Sequence, residues 1–170
     1  PLLPLEETSY PNQPVGMVLC SDRDEARRIA REYQVSGRPL EPIVSTIAEA
    51  VGAGQILHEP LILKNHFSES SFVECDHITE CGMSVGGQDH VYLEGQVALA
   101  MPSSDGIHVV SSTQHPTEVQ DLIANLLGVS AANVTVEVRR MGGAFGGKES
   151  QAAHFAILAA LGAHVTGRPV

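Results

Sequence analysis

Residues 141–150 read MGGAFGGKES, with glycine at 142, 143, 146 and 147 and a Lys148–Glu149 pair directly after. Glycine has no Cβ and reaches positive φ at little cost, so the backbone can come close to a ligand and present its N–H groups. A β-branched run at 134–138 precedes the loop and an alanine-rich stretch follows it, which puts the glycines where a strand hands over to a helix. That geometry aims unpaired N–H groups and the positive end of a helix dipole at whatever lies above the loop. The expected occupant is electron-rich, either anionic or bearing oxo groups. The plainer alternative is a tight turn packed against a neighbour.

The spacing from Gly142 to Lys148 follows the phosphate-cradling signature until its last position, where a Ser or Thr is required and Glu149 stands. A carboxylate there repels phosphate and gives magnesium no hydroxyl. Ser150 is expected to point elsewhere, because one residue of helix rotates a side chain by about 100°. Nucleotide binding is therefore set aside. Glu149 remains either a ligand-facing acid or a helix-start carboxylate that stabilises the dipole by about 0.3–1 kcal/mol. Nucleic acid is excluded by charge: 20 acidic against 10 basic residues give a formal net charge of −10, which opposes a phosphate backbone. Three cysteines without a C-x-x-C pair suggest neither a disulfide framework nor a zinc site, and reduced thiols fit a cytoplasmic chain. The apolar run 152–165 is too short to span a bilayer and is interrupted by His154.

The elements that must position the loop are legible in outline. Residues 14–20 suit a short buried strand, and Ser21 with Asp24 signals a helix over 22–33 with Ala26, Ile29, Ala30 and Tyr33 on one face. The arginines on its other side alternate with acids and read as a solvated face. A short helix is expected over 45–51, closed by Gly52. From residue 72 an imperfect two-residue alternation predicts a strand within 72–85, a second strand ending at Pro102, a turn at 103–106 and a third strand over 107–114. Pro116, Glu118 and Gly128 frame the clearest helix, with Val119, Leu122, Ile123, Leu126 and Leu127 on one face. A strand at 134–138 and a helix over 150–161, apolar nearly all round, complete the pattern.

The blocks RRMGGAFGGKES at 139–150 and GGQDHVYLEGQ at 86–96 resemble the molybdenum-binding portion of the xanthine dehydrogenase and aldehyde oxidase family, and their separation is similar to the family's. The segment NQPVGMVL and the helix after it resemble the family's preceding small α/β domain, although SGRPLEPIV departs from its usual strand ending. The implied fold is α+β. Residues 1–63 are expected to form the C-terminal part of a small hammerhead-like α/β domain, and residues 64–170 the N-terminal part of a mixed α/β molybdopterin-binding domain.

Carried over by motif position, the resemblance makes Gln88 the glutamine that hydrogen-bonds an oxygen ligand of molybdenum and Phe145 the residue whose backbone lies against the metal centre. Gly143, Ala144, Phe145 and Gly146 are the implied cofactor-binding backbone. The metal itself is held by the dithiolene sulfurs of the pterin, with the protein supplying orientation and hydrogen bonds. Glu149 matches the glutamate that binds the ring in purine-oxidising members, where aldehyde-oxidising members usually carry an apolar residue. Lys148 is expected to be a solvated or ion-paired cation, and Glu94 a buried strand carboxylate satisfied by hydrogen bonds.

The implied activity is hydroxylation of hypoxanthine or xanthine toward urate with water as the oxygen source. The alternatives are an aldehyde oxidase-type molybdenum hydroxylase, or a module that binds an anion without catalysis. No catalytic residue is assigned within 1–170, because the family's general base and substrate arginine are expected beyond Val170, in the remainder of the molybdenum domain. The 170 residues alone are expected to be inactive. A [2Fe-2S] centre and FAD, on other domains or subunits of an oligomer, are the implied electron exit.

Overall fold

The structure, a computed structural model, describes residues 2–56, 58–63, 65 and 69–170. Its regular elements in chain order are α1 (Arg23–Glu32), α2 (Ile47–Gly52), β1 (Ala98–Ser103), β2 (Gly106–Ser111), α3 (Pro116–Leu127), β3 (Val134–Glu137) and α4 (Gln151–Thr166), with 3-10 turns at Glu69–Glu74 and Ala131–Asn133. Two compact units result, one formed by Pro1–Tyr33 with Gln88–Val170 and the other by Gln34–Gly87. The fold is α+β.

The sheet and its helices belong to the first unit. β1 and β2 form an antiparallel hairpin in which Ala98 faces Ser111 and Ser103 faces Gly106. β2 then pairs in parallel with β3, Ile107 opposite Val134 and Val110 opposite Glu137. A parallel pair needs a crossover, and α3 supplies it. α3 begins at Pro116, whose missing N–H costs nothing at a first helical turn, and ends on Gly128 in the left-handed conformation. Val119 and Ile123 on its inner face are fully buried against Val109, Val134 and the alanines of α4. α4 buries Ala152, Ala153, Ala156, Ile157, Ala159, Ala160, Gly162 and Ala163, so the side chains around it are small and it packs closely on β1, β2 and α3. Val170, after the helix, exchanges both backbone hydrogen bonds with Ala100 on the outer edge of β1.

Several expectations from sequence change. The segment 14–20 forms no strand, and no strand occurs among the described residues of 34–87, where a 3-10 turn takes up the start of the alternating stretch. Alternation alone does not make a strand without a neighbouring chain to take its N–H and C=O groups. β1 runs one residue past Pro102, which is tolerated because Pro102 lies on an edge strand. α1 is capped by Asp22, which accepts from the Glu25 N–H, and not by Ser21. Its apolar face buries no residue, and Tyr33 is exposed. α4 continues five residues beyond Leu161, to Thr166, before Gly167 stops it in a left-handed turn. In the second unit, α2 carries a capping box in which Thr46 accepts from the Glu49 N–H and Glu49 accepts from Thr46. The hydrogen bonds that Glu49 accepts, first from Ser45, hold its carboxyl below the usual range.

The core therefore rests on a few β-branched residues set against an alanine helix. Ile123→Ala is expected to lower the unfolding free energy by about 2–5 kcal/mol, read as an earlier denaturant midpoint with an unchanged slope.

Candidate functional site

The glycine loop lies between β3 and α4, as the residue types require, and its ends are tied by side chains distant in sequence. The Gly142 N–H donates to the Glu94 carboxylate. At the other end the Gly147 N–H closes a turn onto the Ala144 carbonyl at 2.8 Å. The Gly147 carbonyl accepts from Gln96 Nε2 at 3.2 Å, and the same amide donates to the Tyr92 hydroxyl at 2.7 Å. Residues just past the end of β2 hold the next position: Gln114 Oε1 accepts from the Lys148 N–H, and the Lys148 carbonyl accepts from the Gln114 N–H and the Thr113 hydroxyl. The N–H groups of Gly143, Ala144, Phe145 and Gly146 donate to no acceptor among the described residues.

The four glycines are needed for two different reasons. Gly143 and Gly146 take positive φ, 98° and 92°, as does Phe145 between them at 52°. Gly142 and Gly147 have ordinary φ but no room, since a Cβ at 147 would lie 2.6 Å from the Tyr92 ring and one at 142 would lie 2.6 Å from the Glu94 carboxylate. Phe145 is 76% exposed and does not fill the core, while Ala144 is buried.

Beside the loop is a cavity of about 530 Å³ bordered by Tyr92, His90, Gly146, Gly147, Glu149 and His154, among others. Glu149 is exposed at its rim, and Ser150 and Gln151 also line it. Ser150, the N-cap residue of α4, thus borders the same cavity as Glu149 and is not turned away from it. No side chain caps this helix start. Gln88 is exposed and is not among the residues lining the cavity. Nearby, Arg139 is engaged by Glu137 at 2.9 Å, and that hydrogen bond holds the Glu137 carboxyl below the usual range.

Two side chains reverse the sequence expectation. Lys148 is completely buried and, among the described residues, not ion-paired: its Nζ donates to the Glu94 carbonyl at 2.8 Å and stands 4.7 Å over the Tyr92 ring. Glu94 is exposed and lies in a bend before β1, outside any strand, although its carboxylate is hydrogen-bonded as expected. Tyr92 and Gln96, to which sequence reasoning assigned no part, brace the loop. The only available signal was their place in the same short block as Gln88 and Glu94. Among the described residues no three His, Cys, Asp or Glu side chains converge as metal ligands.

A loop of this kind, with backbone donors in place of side-chain ligands, suits a cofactor that brings its own metal ligands. The sequence model of the molybdopterin cofactor-binding domain matches residues 58–170. The chain belongs to the xanthine dehydrogenase and aldehyde oxidase family, and it carries that family's molybdopterin cofactor-binding domain. It is 37% identical to a xanthine dehydrogenase of Emericella nidulans over 98% of its own length and 12% of that protein's. It is equally 37% identical to aldehyde oxidase 2 of Cavia porcellus, over 92% of this chain and 12% of the other. Quinoline 2-oxidoreductase of Pseudomonas putida 86 shares the fold, with a TM-score of 0.68 and 24% identity over 88% of this chain and 20% of that one. The chain thus spans about 12% of the length of the curated relatives it matches.

Gly147→Ala forces a methyl group against Tyr92 and His90 and is expected to destabilise by about 1–3 kcal/mol. Gly95→Ala, where a Cβ meets nothing within 4 Å, is expected to change stability by less than about 0.5 kcal/mol. Thermal denaturation of the two variants side by side checks the difference.

Proposed function

We propose that this chain is the molybdenum-cofactor-binding part of a purine hydroxylase that oxidises hypoxanthine or xanthine toward urate with water as the oxygen source. The observation that carries the reading is the run of four free backbone donors, Gly143 to Gly146, next to a carboxylate at the cavity rim. The residues present fit an oxygen-rich cofactor, since unpaired N–H groups held in a strained turn have no use inside the protein and are suited to oxygen acceptors. When bound, the molybdenum cofactor would supply the two-electron redox chemistry. This chain's own residues would orient it through the N–H groups of 143–146 and through Gln88. Glu149 would hydrogen-bond the purine ring and stabilise the charge that develops on it.

Aldehyde oxidation by the same cofactor is the second reading, favoured by the equal identity to an aldehyde oxidase and a xanthine dehydrogenase. Glu149 supports the purine, because an apolar aldehyde gives a carboxylate nothing to bond. We further assign residues 1–63 and 64–170 to the hammerhead-like and molybdenum domains. Iron–sulfur and flavin centres would lie on other domains or subunits of a cytoplasmic oligomer, and no described helix is long and apolar enough to cross a membrane.

The full-length enzyme is expected to carry about one molybdenum per copy of this domain, by elemental analysis. A metal-free protein would instead mean a plain anion-binding module. Glu149→Ala is expected to lower kcat/KM for xanthine by about 10- to 100-fold while changing aldehyde turnover by no more than about threefold. Equal losses on both substrates would remove the purine assignment. The 170-residue chain on its own is expected to form no urate from xanthine.

A further inference from the structure

A fully buried lysine that belongs to no ion pair among the described residues is costly to keep, because an ammonium taken out of water must recover its solvation from the protein. Lys148 recovers it from one carbonyl and one aromatic face. A methionine would fill the same space without that cost, so the hydrogen bond itself needs a purpose. Its acceptor is the backbone carbonyl of Glu94, and the carboxylate of that same residue accepts from Gly142. One residue in a surface bend therefore holds the first glycine of the loop with its side chain and the residue after the last glycine with its main chain. The four free donors lie between these two points.

We propose that Glu94 and Lys148 form a clasp that positions the 143–146 amides for the cofactor, with both acting through the loop and neither touching the ligand. The proposal rests on the cofactor reading above. A loop tied at both ends to one external residue keeps its amides outward, whereas an untied loop can turn them onto its own carbonyls, as Gly147 already does with Ala144. The exposed position of Glu94 makes the clasp separable from the core. Its carboxylate can be removed without leaving a hole, and an amide oxygen can accept the same bond.

The test uses the full-length enzyme and its Glu94→Ala, Glu94→Gln and Lys148→Met variants. Two quantities are read: molybdenum retained after gel filtration, and hydrogen exchange in the peptide covering 141–150 against peptides from α3 and β2. Glu94→Ala is expected to lose retained molybdenum by about 10-fold and to speed exchange in the loop peptide alone, while Glu94→Gln returns both to within about twofold of wild type. Lys148→Met is expected to match Glu94→Ala, and if it unfolds, the Glu94 pair decides. The clasp is overturned if Glu94→Ala keeps its molybdenum and its loop exchange unchanged, or if Glu94→Gln is as impaired as Glu94→Ala. A wild-type enzyme without molybdenum whose loop exchange still responds to Glu94→Ala would sink the cofactor reading and leave the clasp standing.

Discussion

Four successive amides, 143–146, without an acceptor among the described residues are the constraint around which the first unit is organised. Backbone N–H groups pair wherever they can, because each unpaired one shielded from water gives up the worth of a hydrogen bond. A chain left to itself would turn residues 143–146 onto nearby carbonyls. Here the surroundings prevent that: Glu94 holds one end, while Gln96, Gln114 and the buried Lys148 hold the other. The positive φ at Gly143, Phe145 and Gly146 is tolerated for the same reason, since strained backbone persists only where its neighbours leave it no alternative.

The elements on either side serve that arrangement. β3 delivers the chain to the loop from the parallel edge of the sheet, and the residues after β2 run alongside it as a wall, with Ser112 and Thr113 buried. α4 receives the chain on the far side. Its alanines let it lie close on the sheet, and with no side-chain cap its first turn opens at the cavity where Glu149, Ser150 and Gln151 gather. Its N-cap residue is Ser150, whose hydroxyl caps none of the first-turn amides. The carboxylate at 149 is exposed and borders that cavity, and overall identity to the two kinds of relative is equal.

Locally encoded features were legible in the sequence. Pro116 and Gly128 mark both ends of α3, the alanine run marks α4, and the glycine spacing announces a loop that approaches something closely. Each depends on a residue's own backbone preference or on neighbours within one helical turn. The apolar run at 14–20 and the alternating stretch at 72–85 misled because a strand exists only with a partner, and partners lie elsewhere in the chain.

What tertiary structure alone decided is the exchange of environments between Lys148 and Glu94. By residue type the lysine belongs in water and the glutamate in a satisfied interior, yet the lysine is buried and the glutamate exposed. The bond that joins them spans 54 residues, and the one from Gln114 to Lys148 spans 34. The sequence by itself determined which backbone could be bare and bent, because that is a property of glycine. Where those bare amides point was decided by contacts between segments far apart along the chain, which no local pattern of residue types contains.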